Sequence, residues 1–217
     1  MSGRFNPQYT YYRRDKLAEV FFSIFLVALF FPKRMFKGMP EAKNLKDSAI
    51  LLAMYLSIPS ILMTTTFGAI ASSLAPNMVV GALIFISILP VSLAIGLSTS
   101  LLWSRWLSWS LSKLSGKPVS MASVFQVCAY SGPPFVIAWG PYLGPVMALW
   151  NLVLNWKGLR FHCGLGGWKV FFAMISGILL LFLIMVAIAF VLFLFLPENV
   201  NMLLETFEFL MHQRGWL

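Results

Sequence analysis

Three stretches of the chain carry no formal charge, and they set its plan. Residues 48–104 run for 57 positions, 118–156 for 39 and 170–197 for 28 without an Asp, Glu, Lys or Arg. Soluble cores have no need of such runs, whereas a helix crossing about 30 Å of hydrocarbon needs about 20 apolar residues. The roughly ten-residue alternating segments of a transmembrane barrel are missing. The pattern predicts an all-α integral membrane protein with five spans, at about 49–75, 79–103, 119–139, 141–156 and 170–196. A basic segment over 1–47 precedes this domain of residues 48–196, and a tail over 197–217 follows it.

The spans differ in detail. The first is interrupted by Pro59 and by Thr64-Thr65-Thr66, and Pro76-Asn77 predicts a tight outer turn. The second contains Pro90 and continues past Trp103 into a mixed stretch in which Ser100, Ser104, Ser108 and Ser112 recur every fourth residue on one helix stripe. Small residues at that spacing admit a close helix neighbour, with solvent exposure of the later two as the alternative. The third and fourth spans read as a hairpin turning at Trp139-Gly140-Pro141, its first arm broken by Pro133-Pro134. The fifth is apolar on every side.

Ahead of these, Val20 to Phe31 is a twelve-residue apolar run with basic residues on both sides. At about 1.5 Å per residue it is too short to cross the bilayer as a helix. No small-x-small cleavage site follows it, so it reads as an interfacial helix lying in or dipping into the inner leaflet, with an uncleaved short span as the alternative. In the tail, Leu203, Leu204, Phe207, Leu210 and Met211 have the spacing of an amphipathic helix on the outer surface.

Charge orients the chain. Of 16 Lys and Arg against 7 Asp and Glu, nine lie before residue 47. Arg105, Lys113 and Lys117 fall in one later connection, and Lys157, Arg160 and Lys169 in another. The connections near Pro76 and Gly140 have none. Basic loops that alternate in this way place the amino end inside and the carboxyl end outside. The same placement argues against nucleic acid as a partner and for anionic lipid headgroups, with Arg13, Arg14, Lys33, Arg34, Lys37, Arg105, Lys157 and Arg160 as the candidate contacts.

The chemistry is sparse. No Asp, Glu, Lys, Arg or His falls within any predicted span, which weighs against a proton-coupled transporter, a lipid hydrolase or a metal-dependent phosphotransferase, and so against an enzyme. His162 and His212 are predicted on opposite sides and cannot share a metal, His162-Cys163 has no second pair at ligand spacing, and the glycines after Arg160 lack a Gly-Lys-Ser/Thr sequence. No cofactor is expected. Cys128 and Cys163 make no disulfide framework; Cys163, on the basic side, reads as a small residue, with acylation as the alternative.

What remains is polar but uncharged. Gln126 on the third span and Asn151 on the fourth fall at similar depth, with Asn155 one turn nearer the surface. An amide bond between the first two, worth on the order of 1 kcal/mol, is the structural expectation, and a ligand contact the alternative. Pro59, Pro90 and Pro133 all fall at middle to outer depth. Proline frees a carbonyl and kinks a helix, and interrupted helices meeting at one depth mark binding cavities in transporters, though proline is common in spans. With Tyr130 and Pro134 these residues make up the candidate cavity or packing site.

The order of these residues resembles the Yip family of five-span membrane proteins, which includes Rab-GTPase-interacting members and bacterial relatives. The likeness runs over about residues 30–196. It rests on Pro32…Phe36 before the first span, on Tyr130-Ser131 followed by Pro133, and on Trp150…Gly158-Leu159…His162…Lys169. The Asp-Leu-Tyr-Gly-Pro signature of eukaryotic members is replaced by Phe31-Pro-Lys-Arg-Met-Phe, as in the bacterial branch, and Ala129 stands where a Gly is usual. The resemblance implies a non-enzymatic protein of the bacterial inner membrane that acts by association. The first functional expectation is a membrane scaffold or subunit that meets lipids and other membrane proteins, or further copies of itself. The second is a transport component that passes a neutral or amphipathic molecule or a lipid through the kinked region.

Overall fold

The computed structural model describes residues 17–40, 45–70, 77–138 and 143–195 of the chain. Arg13, Arg14, the turn at 139–141, Pro76 and the tail lie outside the described residues. Every regular element among them is helical, as the hydropathy pattern predicts: α1 (Leu17–Phe30), α2 (Pro32–Gly38), α3 (Leu45–Met63), α4 (Met78–Ser115), α5 (Met121–Tyr130), α6 (Leu143–His162) and α7 (Gly167–Phe195). Three helical stretches, Leu45–Thr66, Met78–Ser115 and Gly167–Val191, are long and apolar enough to cross a membrane.

The short apolar run forms α1, and its stripe of Ile24, Val27 and Ala28 is buried in the protein core. The ring of Phe21 lies 4.7 Å from that of Tyr55 on α3. On the other side Phe22, Leu26 and Phe30 are exposed. An amphipathic surface helix would present polar residues there; from Phe21 to Phe30 the exposed side chains of α1 are apolar as well. The helix ends at Phe31, whose carbonyl accepts from the Arg34 and Met35 N–H groups. Pro32 opens α2, where its missing N–H deprives the helix of nothing. Met35 and Phe36 turn inward from α2 against α6.

Pro59 lies inside α3, and one turn later the chain widens into a π-turn over Thr64–Gly68. Threonine hydroxyls serve carbonyls there: Thr64 Oγ1 donates to Ser60 O at 2.7 Å and Thr65 Oγ1 to Leu62 O at 2.9 Å. Helix α4 starts at Asn77, whose side-chain oxygen accepts from the Val80 N–H at 2.9 Å. It runs 38 residues, about 57 Å at about 1.5 Å per residue, and so outreaches the hydrocarbon layer. Gly116, in the left-handed region at φ 71°, stops it. α3 and α4 pack side by side, and at Gly96 a β-carbon would stand 2.9 Å from Leu56 Cδ1.

The expected hairpin departs most from the sequence reading. Its first arm is helical for only ten residues, about 15 Å, and then breaks at Ser131. Seven consecutive residues of α5, Val124 to Tyr130, are buried. A helix covered by protein on every side is as apolar as one facing lipid, so composition could not separate the two. α6, at 20 residues, is not among the candidate spans.

The core gathers Leu51 and Tyr55 of α3, Leu107 and Leu111 of α4, Val124 and Val127 of α5, and Leu154 and Leu159 of α6, closed by Val170 and Ala173 at the start of α7. The chain divides into two units, 1–174 and 175–217. In the second, the rest of α7 is a helix without charged residues, apolar but for Ser176, with exposed side chains such as Phe182, Leu183 and Phe190.

Candidate functional site

The polar centre of the hairpin follows from the two prolines. Pro133 and Pro134 have no N–H to give to the carbonyls one turn back, so the α-helical ladder stops. Ser131 still bonds in helical fashion, N–H to Val127 O at 2.9 Å and Oγ to the same oxygen at 2.8 Å. Gly132 N–H shortens to Ala129 O, and Phe135 N–H goes to Gly132 O, which makes Pro133–Val136 a 3-10 turn. The Ser131 carbonyl is thereby left without the N–H that a continuing helix would offer, at a fully buried residue. Asn151 of α6 supplies the donor: its Nδ2 reaches Ser131 O at 2.6 Å. Asn155, one turn along α6, donates to both Asn151 O and Asn151 Oδ1 at 3.0 Å.

The expected bond between Gln126 and Asn151 is therefore replaced. A buried orphan carbonyl is the more demanding acceptor, and the Asn151 amide serves it. Gln126 is buried with its Oε1 unpartnered among the described residues, as are Asn155 Oδ1 and Trp150 Nε1. Two lines of contact fix the α5–α6 register: Asn151 on Ser131, and Gly158 beneath Val127 and Phe36. A β-carbon at Gly158 would overlap Val127 Cγ1 and stand 2.8 Å from Phe36 Cε1. Tyr130 is buried in the same core.

The four candidate prolines do not share a setting. Pro133 and Pro134 are buried, Pro59 is half-buried and Pro90 is exposed on α4. An open apolar depression lined by Gly81, Ala82, Phe85 and Ile86 includes none of them.

The serine stripe forms a clasp. Ser108 Oγ donates to Val119 O at 2.7 Å, and Val119 N–H donates to Ser112 Oγ at 2.9 Å. Both polar groups of one returning residue are thus held by the end of α4, and Ser108 is buried rather than solvated.

The basic residues of α2 and α6 converge on aromatic rings. Lys33 and Lys37 Nζ each lie 5.8 Å from the centroid of Phe161, and the Arg160 guanidinium lies 5.5 Å from that centroid and 5.6 Å from that of Trp156. Lys157 covers Trp150 and Arg34 covers Phe31. Arg105 is exposed on α4, a separate helix. The cations were legible in the sequence, but the rings that gather them were not singled out. Phe161 follows Arg160 directly, and Lys33 and Lys37 are one turn apart, so the signal was present in the spacing.

Among the described residues no three His, Cys, Asp or Glu side chains stand close enough to hold a metal. Cys128 is buried and Cys163 half-buried, both free thiols; burial pushes the Cys163 thiol up to about 11.

Helix length and apolarity define a helical protein of the membrane-spanning class. Comparison with protein-family models, with curated proteins and with solved structures gives no match.

Proposed function

We propose that the chain is a non-enzymatic multi-pass membrane scaffold or subunit of the Yip type, of the bacterial branch and in the cytoplasmic membrane. Its partners are lipids at a basic inner face and other membrane proteins or further copies of itself. The observation that carries this reading is the use made of the hairpin's polar groups. Asn151 holds the Ser131 carbonyl, Asn155 holds Asn151, and Pro133-Pro134 are buried in packing, which supports a structural use of these four candidate passage residues.

In this reading the amino end is inside and the carboxyl end outside, with five passes. The long helices supply three. The α5–3-10 arm and α6 supply the two shorter ones, entering from and returning to the basic side. The adjacency of α5 and α6 supports that path, and α6 at about 30 Å is long enough.

Reconstitution tests the proposal against the transport alternative. Vesicles holding the purified protein should show no protein-dependent movement of labelled lipid or neutral solute, while gentle detergent extraction yields a stoichiometric membrane partner or a homo-oligomer. Protein-dependent lipid movement that Pro133→Ala or Asn151→Leu abolishes would replace the scaffold reading with transport.

A further inference from the structure

The three cations around Phe161 are the feature that the fold itself does not explain. Lys33 and Lys37 are exposed on one face of α2, and Arg160 is exposed on α6. Each stands within 5.8 Å of one ring centroid, so the three charges lie within about 12 Å of one another. Like charges so close repel one another, and the face of one ring offsets that only in part. A multivalent anion would offset it fully.

The place of the cluster says where that anion comes from. A β-carbon on Gly167, the first residue of α7, would stand 3.4 Å from Trp156 and within 3.9 Å of the Arg160 side chain. Trp156 Nε1 donates to Gly167 O at 3.1 Å. Arg160 is thus fastened beside the entry of a membrane-spanning helix, whose next exposed side chains are Trp168, Lys169, Phe171 and Phe172. An aromatic residue followed by a continuous apolar surface marks the headgroup level of a bilayer.

Resting on the membrane reading above, we propose that Lys33, Lys37 and Arg160, grouped around Phe161, form a seat for the phosphomonoester headgroup of an anionic membrane lipid, with the acyl chains against the start of α7. A phosphomonoester presents three acceptor oxygens and about −1.5 to −2 charge at pH 7, with its second ionisation near pH 6. It therefore matches three convergent cations better than a phosphodiester headgroup with a single phosphate charge. Arg160 can grip two oxygens at once, and the lysines act as point charges.

The test measures thermal unfolding of the full chain in neutral detergent, titrated at pH 7.4 with dioctanoyl phosphatidic acid, dioctanoyl phosphatidylglycerol or inorganic phosphate. Phosphatidic acid is expected to raise Tm saturably, with half-saturation at a concentration about ten-fold lower than for phosphatidylglycerol, and inorganic phosphate at equal concentration is expected to do little. The preference should shrink at pH 5, where the monoester carries one charge. The combined Lys33→Gln, Lys37→Gln, Arg160→Gln variant should lose the preference. A charge-matched variant with Arg105→Gln, Lys113→Gln and Lys117→Gln, all exposed on α4 or just past its end, should keep it. Equal response to both lipids, equal loss in both variants, or a pH-independent preference would overturn the seat. A full response to inorganic phosphate would assign the site to free phosphate and overturn the lipid assignment. Lipid movement in reconstituted vesicles would sink the scaffold reading and leave the seat standing, whereas loss of the headgroup preference would remove the seat and leave the scaffold.

Discussion

Asn151 Nδ2 lies 2.6 Å from the carbonyl oxygen of Ser131, twenty residues away in sequence and on the neighbouring element. That bond lets the chain stop a buried helix at Pro133-Pro134 without leaving the Ser131 carbonyl unpaired. It also ties α6 to the break. The α5–α6 pair is accordingly a packing unit whose polar groups complete one another's backbone.

Replacing the donor should therefore cost more than replacing its expected partner. Asn151→Leu leaves the Ser131 carbonyl buried and unpaired, at about 1–3 kcal/mol. Gln126→Leu removes an acceptor that has no partner and should be neutral or slightly stabilising. Thermal unfolding of both variants in the same detergent compares them directly, and a larger loss for Gln126→Leu would refute the assignment.

Gly158 is the second fixed point of that pair. The added carbon of Gly158→Ala meets Val127 and Phe36 at once, one on α5 and one on α2, and neither helix can withdraw alone. Overpacking of this kind costs about 1–3 kcal/mol. The double variant with Val127→Ala should recover much of the stability. No recovery would mean that the strain lies elsewhere.

The serine clasp predicts coupling. Ser108→Ala and Ser112→Ala each remove one bond to Val119, at about 1 kcal/mol apiece. Because both hold one residue, the double variant should cost less than the sum. Amide exchange over residues 116–120 should speed up in either single variant; unchanged exchange would show that the turn is held by other contacts.

The Cys163 thiol gives a pH signature. Its pKa is raised from 9.0 to about 11 by burial. The folded chain therefore keeps its proton where the unfolded chain has lost it, and stability falls as pH rises from about 9 to about 11. At pH 8 the thiolate fraction is about 100-fold below that of an unperturbed thiol, so alkylation at Cys163, mapped by peptide mass, should be slower by that factor. Labelling as fast as in the denatured chain would contradict the burial.

Hydropathy made α3, α4 and α7 legible because charge-free runs of that length have one inexpensive setting. Asn77 and Gly116 bounded α4 for similarly local reasons, a side-chain cap and a left-handed turn. The interruptions were legible too: Pro59 with the threonine run became a π-turn, and Pro133-Pro134 became the end of α5. What those breaks led to was not legible, since a freed carbonyl can be met by water, by a ligand or by any donor that packing brings near.

The sequence by itself determined the helices, the positions where they break, and the basic stretches beside them. These depend on residues within a turn or two of each other, on backbone N–H groups that proline lacks and on the transfer energy of apolar side chains. Only the tertiary structure decided that Asn151 meets Ser131 and leaves Gln126 Oε1 without a partner among the described residues, that Ser108 and Ser112 grip Val119, and that Lys33, Lys37 and Arg160 share the ring of Phe161. Each of those pairings depends on which faces of separate helices meet. A buried α5 and a lipid-facing span are equally apolar, so no count of residues along the chain could have chosen between them.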